Sequence, residues 1–78
     1  MTNQATEKVY LNLLEEGTPT ARPTQAIPLG NNTYKLLPTP NYDPEDEIWE
    51  FLPGSVVKCI HAKTDKGVSI LLATEKVE

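Results

Sequence analysis

Seven prolines and four glycines cut this 78-residue chain into short runs. That punctuation keeps the elements short, because a proline removes one backbone donor and its ring clashes with the preceding helical turn. From Val9 to Leu14 the side chains alternate, with Val9, Leu11 and Leu13 on one face and Tyr10, Asn12 and Leu14 on the other, as a mostly buried strand would. A helix over Glu7 to Glu16 is the competing reading. The strand is favoured because Gly17-Thr18-Pro19 closes the run after about two turns, and its β-branched and aromatic start suits a pleated sheet.

The stretch from Thr18 to Leu29 carries Pro19, Pro23 and Pro28, so it is expected to hold at most an edge strand with gaps in its ladder. Gly30-Asn31-Asn32 tolerates left-handed backbone angles, and Thr33 to Leu37 resumes β propensity, which predicts a hairpin. Asp43-Pro44-Glu45-Asp46 places a capping acid, a proline and further acids in the order of a helix start, so one helical turn is expected near residues 44–47. It ends where Ile48-Trp49-Glu50-Phe51 restores a period of two and Pro53-Gly54 fills the centre of a type II turn.

The last hairpin runs from Ser55 to Thr74 around Thr64-Asp65-Lys66-Gly67. With Thr64 opposite Gly67, Cys59 faces Leu72, His61 faces Ile70 and Val57 faces Thr74, which turns Val57, Cys59, Ile70 and Leu72 inward. These elements predict an all-β domain: a small antiparallel barrel of five or six strands, SH3-like, spanning residues 8–76 behind a flexible tail at 1–7. An OB-like barrel needs more chain and a longer helix. A single core of this size supplies about 3–5 kcal/mol of net stability.

Charge is uneven. The net charge is −4, and five of the eleven acids lie between Asp43 and Glu50, inside a span from Lys35 to Lys58 that contains no other basic residue. Outside the block from Asp43 to Glu50, six acids face seven bases. The bases are scattered singly, which disfavours nucleic acid as a partner. No run approaches the roughly 18 apolar residues of a membrane span, and the opening residues lack the basic start and apolar stretch of a signal peptide. One cysteine, Cys59, excludes an intramolecular disulfide and a thiolate zinc site and fits a reducing cytoplasm.

The acidic block directly adjoins the only tryptophan, Trp49, and the only phenylalanine, Phe51. Both aromatics have a core reading. The alternative leaves Trp49 partly exposed, with Tyr34 and Tyr42 nearby, as an aromatic platform with an acidic rim that takes Lys-, Arg- or Pro-containing peptides. The candidate protein-binding residues are therefore Glu45, Asp46, Glu47, Trp49, Glu50, Tyr34 and Tyr42. The acids match no calcium-loop spacing, so no metal and no cofactor are expected. Cys59 and His61 share a strand face, but a Cys-His pair inside a packed hairpin has no cleft in which to work. Phosphate-loop, dinucleotide and nucleophile-elbow patterns are all missing, and an enzyme is not expected. What remains is a non-catalytic protein-interaction module for a partner with a basic surface. The alternative is an inhibitor or immunity-like protein that blocks a basic enzyme with the same carboxylates. Oligomeric state is not legible.

Glu16-Gly17-Thr18-Pro19, Arg22-Pro23-Thr24, Leu29-Gly30-Asn31, Tyr34 to Pro38 and Tyr42 to Phe51, followed by Pro53 to Cys59, together resemble a group of small uncharacterised bacterial proteins. The resemblance covers residues 9 to 60 and implies bacterial origin and a compact β fold, with no activity attached. Its pattern carries an aromatic before the Arg-Pro pair, where this chain has Ala21.

Overall fold

The computed structural model describes residues 5–17 and 20–78. It is all-β: β1 (Glu7–Leu14), β2 (Ala21–Gly30), β3 (Thr33–Leu36), β4 (Ile48–Trp49), β5 (Val56–Lys63) and β6 (Ser69–Lys76), with no helix among the described residues. Strands β1, β2, β3, β5 and β6 follow one another as antiparallel neighbours and close into a ring through a parallel bridge between Tyr10 and Leu72. The parallel closure follows from counting. In an up-and-down series of five strands the first and last run the same way, so they can meet only in parallel.

The ring encloses Val9, Leu11, Leu13, Ala26, Leu36, Val57, Cys59 and Ala73, with Trp49 of β4 completing the core. Strand β1 shows the expected alternation: Val9, Leu11 and Leu13 are buried while Asn12 and Leu14 are exposed. It begins at Glu7, opposite Ala26, so the last residue of the expected tail is already sheet, and residues 1–4 of that tail lie outside the described residues. At the other end the chain stays tied past residue 76, since the Val77 N–H donates to Val56 C=O and the Val56 N–H to Glu78 C=O.

Strand β2 corrects the expectation of an edge strand. It is ten residues long and pairs on both sides, with β1 through residues 21–26 and with β3 through residues 26–30. The prolines survive because each half has only one neighbour. The Leu13 N–H donates to Thr20 C=O and the Leu37 N–H to Gln25 C=O. Alternating outward from those bonds, Pro23 opposite Tyr10 and Pro28 opposite Tyr34 both fall at non-hydrogen-bonded positions. Each missing N–H therefore faces the side on which β2 has no partner. Pro19 lies outside the described residues.

The β2–β3 hairpin turns through Asn31 and Asn32, both at positive φ (56° and 63°), as a two-residue type I′ turn requires. Pro53-Gly54 makes the expected type II turn: the Ser55 N–H donates to Leu52 C=O, and Gly54 has φ 91°.

The β5–β6 register differs from the sequence reading by one residue. Cys59 lies opposite Ala73, Ile60 opposite Leu72 and His61 opposite Leu71, and a bulge between Lys58 and Cys59 moves Val57 to Lys76. Thr64 pairs with Val68 instead of Gly67: the Thr64 N–H donates to Val68 C=O, while the Gly67 N–H returns to Thr64 C=O. With Gly67 at φ 79°, this is a type I turn followed by a left-handed glycine, which adds one residue to the loop. The slip reverses the faces of β6. Ala73 is buried and Leu71 packs on the core, where Ile70 and Leu72 were expected.

Candidate functional site

The acidic segment is held by β4, whose two residues pair with the end of β1: Trp49 lies opposite Leu13 and Ile48 opposite Leu14. The Glu50 N–H extends the pairing to Asn12 C=O. Ahead of β4, Asp43 organises a turn in which its C=O accepts from the N–H groups of Asp46 and Glu47 and its Oδ1 accepts from the Glu45 N–H at 2.9 Å. A side-chain acceptor at the head of such a turn satisfies donors that would otherwise be unpaired.

Trp49 is 2% exposed. The reading that made it partly exposed is thereby corrected: its ring is a wall of the core, and Tyr42 packs edge-on against it at 4.8 Å between centroids. The indole keeps its polar edge satisfied by donating from Nε1 to Glu47 Oε1 at 2.9 Å. The other carboxylate oxygen of Glu47 takes the Arg22 guanidinium. Glu47 is therefore an internal brace joining β2 to β4, and both its oxygens are occupied. Tyr34 is elsewhere. It sits on β3 opposite Val57, where burial, followed by Glu7 and Cys59, raises its pKa. Glu7 starts β1 and Leu13, the partner of Trp49, lies near its far end, so Tyr34 belongs to the opposite end of the ring.

Of the seven sequence-predicted residues, Glu45, Asp46 and Glu50 are exposed, and their carboxylates form no hydrogen bond or ion pair among the described residues. Tyr42 is half-buried beside them. Four neighbours escaped the sequence reading. The β1–β4 pairing sets Leu14 beside Ile48, 43% and 40% exposed, and the chain continues from Leu14 into the exposed pair Glu15 and Glu16. An apolar step is thus flanked by carboxylates from two separate segments. The available signal was Leu14 itself, an apolar residue on the solvent face of an alternating strand next to two acids.

Among the described residues no group of three or more His, Cys, Asp or Glu side chains is placed to hold a metal ion, and no helix is long and apolar enough to cross a membrane. Open grooves of about 230, 370 and 400 Å³ lie on the surface, and none is lined by an acid of the 43–50 segment. His61 is exposed while Cys59 is buried. Burial pushes the Cys59 thiol up from 9.0 to about 11, which keeps it protonated and unreactive at neutral pH.

Cys59 should accordingly react with a thiol reagent about 100-fold or more slowly in the native state than after unfolding; prompt labelling of folded protein would refute the inward placement of Cys59. The raised pKa also links stability to pH. Its contribution is complete below the unfolded-state value near 9 and is lost as pH rises towards 11, because the unfolded chain then holds fewer protons than the native one. Denaturation midpoints measured on either side of that window should fall more for the parent than for Cys59→Ala.

Comparison of the chain with protein families, with curated proteins and with solved structures gives no match.

Proposed function

We propose that this protein is a non-catalytic interaction module that presents an acidic surface, with an apolar step at its centre, to a partner with a basic surface. The observation that supports this most is the convergence of Glu15 and Glu16 with Glu45, Asp46 and Glu50 around the exposed Leu14–Ile48 pair. Apolar anchors ringed by like charge suit a partner of opposite sign: the charges steer encounter and the apolar pair holds the complex once water is expelled. Tyr42 contributes its exposed edge, while Trp49 and Glu47 act beneath the surface as its support. Tyr34 is left out of this face. In the same reading the five-stranded ring is an SH3-like barrel, the turn at 44–47 is its single helical turn, and the protein works in the cytoplasm. An inhibitor of a basic enzyme would use the same surface and differ by tighter, more strongly salt-dependent binding.

The test is a variant carrying Glu45→Gln, Asp46→Asn and Glu50→Gln, which spares the Asp43 cap and the Glu47 brace. Exposed charges contribute little to stability, so its unfolding curve should match the parent to within about 0.5 kcal/mol. With the parent as bait in an extract of the source cell, the captured protein should associate with the variant about tenfold more slowly at low salt, and the difference should shrink at high salt. Equal rates at both salt concentrations would place the binding face elsewhere.

A further inference from the structure

The ring has one weak seam. Strands β1 and β6 meet at a single bridge, Tyr10 with Leu72, whereas every other junction in the ring is a ladder of several residues. The hydrogen-bond phase shows what this leaves open. The Thr64 N–H bonds to Val68 C=O, so along β6 the backbone groups of Ile70 and Leu72 point to β5, and those of Ser69, Leu71 and Ala73 point to the β1 side. The bridge to Tyr10 uses Leu71 C=O and the Ala73 N–H. No further bridge joins β6 to β1, so the Ser69 N–H, the Ser69 C=O and the Leu71 N–H face the opening beyond the Tyr10–Leu72 bridge. On β1, the same alternation turns the backbone groups of Lys8 towards this opening.

A groove of about 370 Å³ occupies the gap. Tyr10, Ile70, Leu71 and the exposed Val68 give it apolar walls, and its basic lining is Lys8 and His61, with no Asp or Glu. The Lys8 ammonium lies 5.6 Å above the Tyr10 ring, at the edge of the opening. From Val56 to Ile70 the chain carries Lys58, Lys63 and Lys66 against Asp65 alone, so this arm is basic where the β4 face is acidic. An open strand edge and apolar walls for alternate side chains are what binding by strand addition uses, and the cationic rim selects a strand that carries carboxylates.

We propose that the open β6 edge at Ser69–Leu71 is a strand-addition site for an extended, carboxylate-bearing peptide. The peptide backbone pairs with Ser69 and Leu71, one set of its side chains enters the groove beside Tyr10 and Ile70, and a carboxylate meets Lys8. This site is independent of the acidic face and opposite to it in charge.

The experiment uses a blocked eight-residue peptide of alternating Val and Glu, its Val/Lys counterpart, and a Val/Glu peptide methylated at alternate backbone nitrogens, each titrated into the full chain while amide exchange is followed by NMR. The Val/Glu peptide should slow exchange at Ser69 and Leu71 about tenfold or more, the Val/Lys peptide should bind at least about tenfold more weakly, and the methylated peptide should not bind. Ser69→Pro removes one facing donor at the first position of a strand, where proline is tolerated, and should abolish protection at Leu71. Should that variant fail to fold, Lys8→Glu, which reverses an exposed charge, should weaken the Val/Glu peptide and strengthen the Val/Lys one. Unchanged exchange at Ser69 and Leu71, or equal affinity for the two charged peptides, would overturn the proposal. So would protection that rises with protein concentration alone, which would identify the occupant as a second copy of this chain.

Discussion

Replacing Trp49 with Ala should leave the chain largely unfolded at room temperature. A buried Trp→Ala change costs about 3–5 kcal/mol through lost burial and the cavity left behind, and a domain of this length commands about the same amount in total. The loss is compounded at this position. Trp49 is 2% exposed and is the only anchor that β4 places in the core; Tyr42 stacks against its edge, and its indole N–H holds Glu47 in line with Arg22. Without the ring, the exposed acidic turn has nothing to dock on. Trp49→Phe keeps an aromatic against Tyr42 but drops the donor to Glu47, and should fall between the two. Circular dichroism through a denaturant titration separates the cases: a cooperative Trp49→Ala transition within about 1 kcal/mol of the parent would show that β4 is an appendage to the core.

The parts of this fold that the sequence made legible are those decided within a few residues. Val9, Leu11 and Leu13 declare their face by alternation, Asn31 and Asn32 announce a left-handed turn, and Pro53-Gly54 names its turn type; all three are realised. The β5–β6 register failed for an equally local reason. Thr64-Asp65-Lys66-Gly67 accommodates a two-residue or a three-residue loop, and the left-handed Gly67 selects the longer one, which reverses the faces of β6. Long-range pairing was out of reach. Nothing near Ile48 says that its partner is Leu14, 34 positions earlier, so Glu15 and Glu16 could not be joined to the acidic block, nor could Tyr34 be separated from it. Strand β2 was underestimated because its prolines were taken to confine the whole segment to a single neighbour, whereas each forbids one only on the side its own nitrogen faces.

Replacing Gly54 with Val should cost about 1–3 kcal/mol, and backbone conformation alone should account for it. A Cβ built at Gly54 meets no atom within 4 Å, so crowding is no part of the penalty. The cost comes from φ 91°, a region in which a β-branched side chain collides with its own backbone. Relief by rearranging the turn is blocked, because the turn is tied in from both ends. The Gly54 N–H donates to Leu36 C=O, the Ser55 N–H closes the turn on Leu52, and the Leu36 N–H donates to Ser55 C=O. Relaxing φ at Gly54 would break the bonds that start β5 beside β3 and would loosen Leu36, which is fully buried. A mirror-image alanine introduced at this position by chemical synthesis separates the two causes, since it accepts positive φ while adding the same Cβ. The chain carrying that D-alanine should melt at or above the parent, and Gly54→Val well below it. A Gly54→Val chain that melts with the parent would mean that the Pro53-Gly54 turn opens in solution and that β3 and β5 are held by their ladder alone.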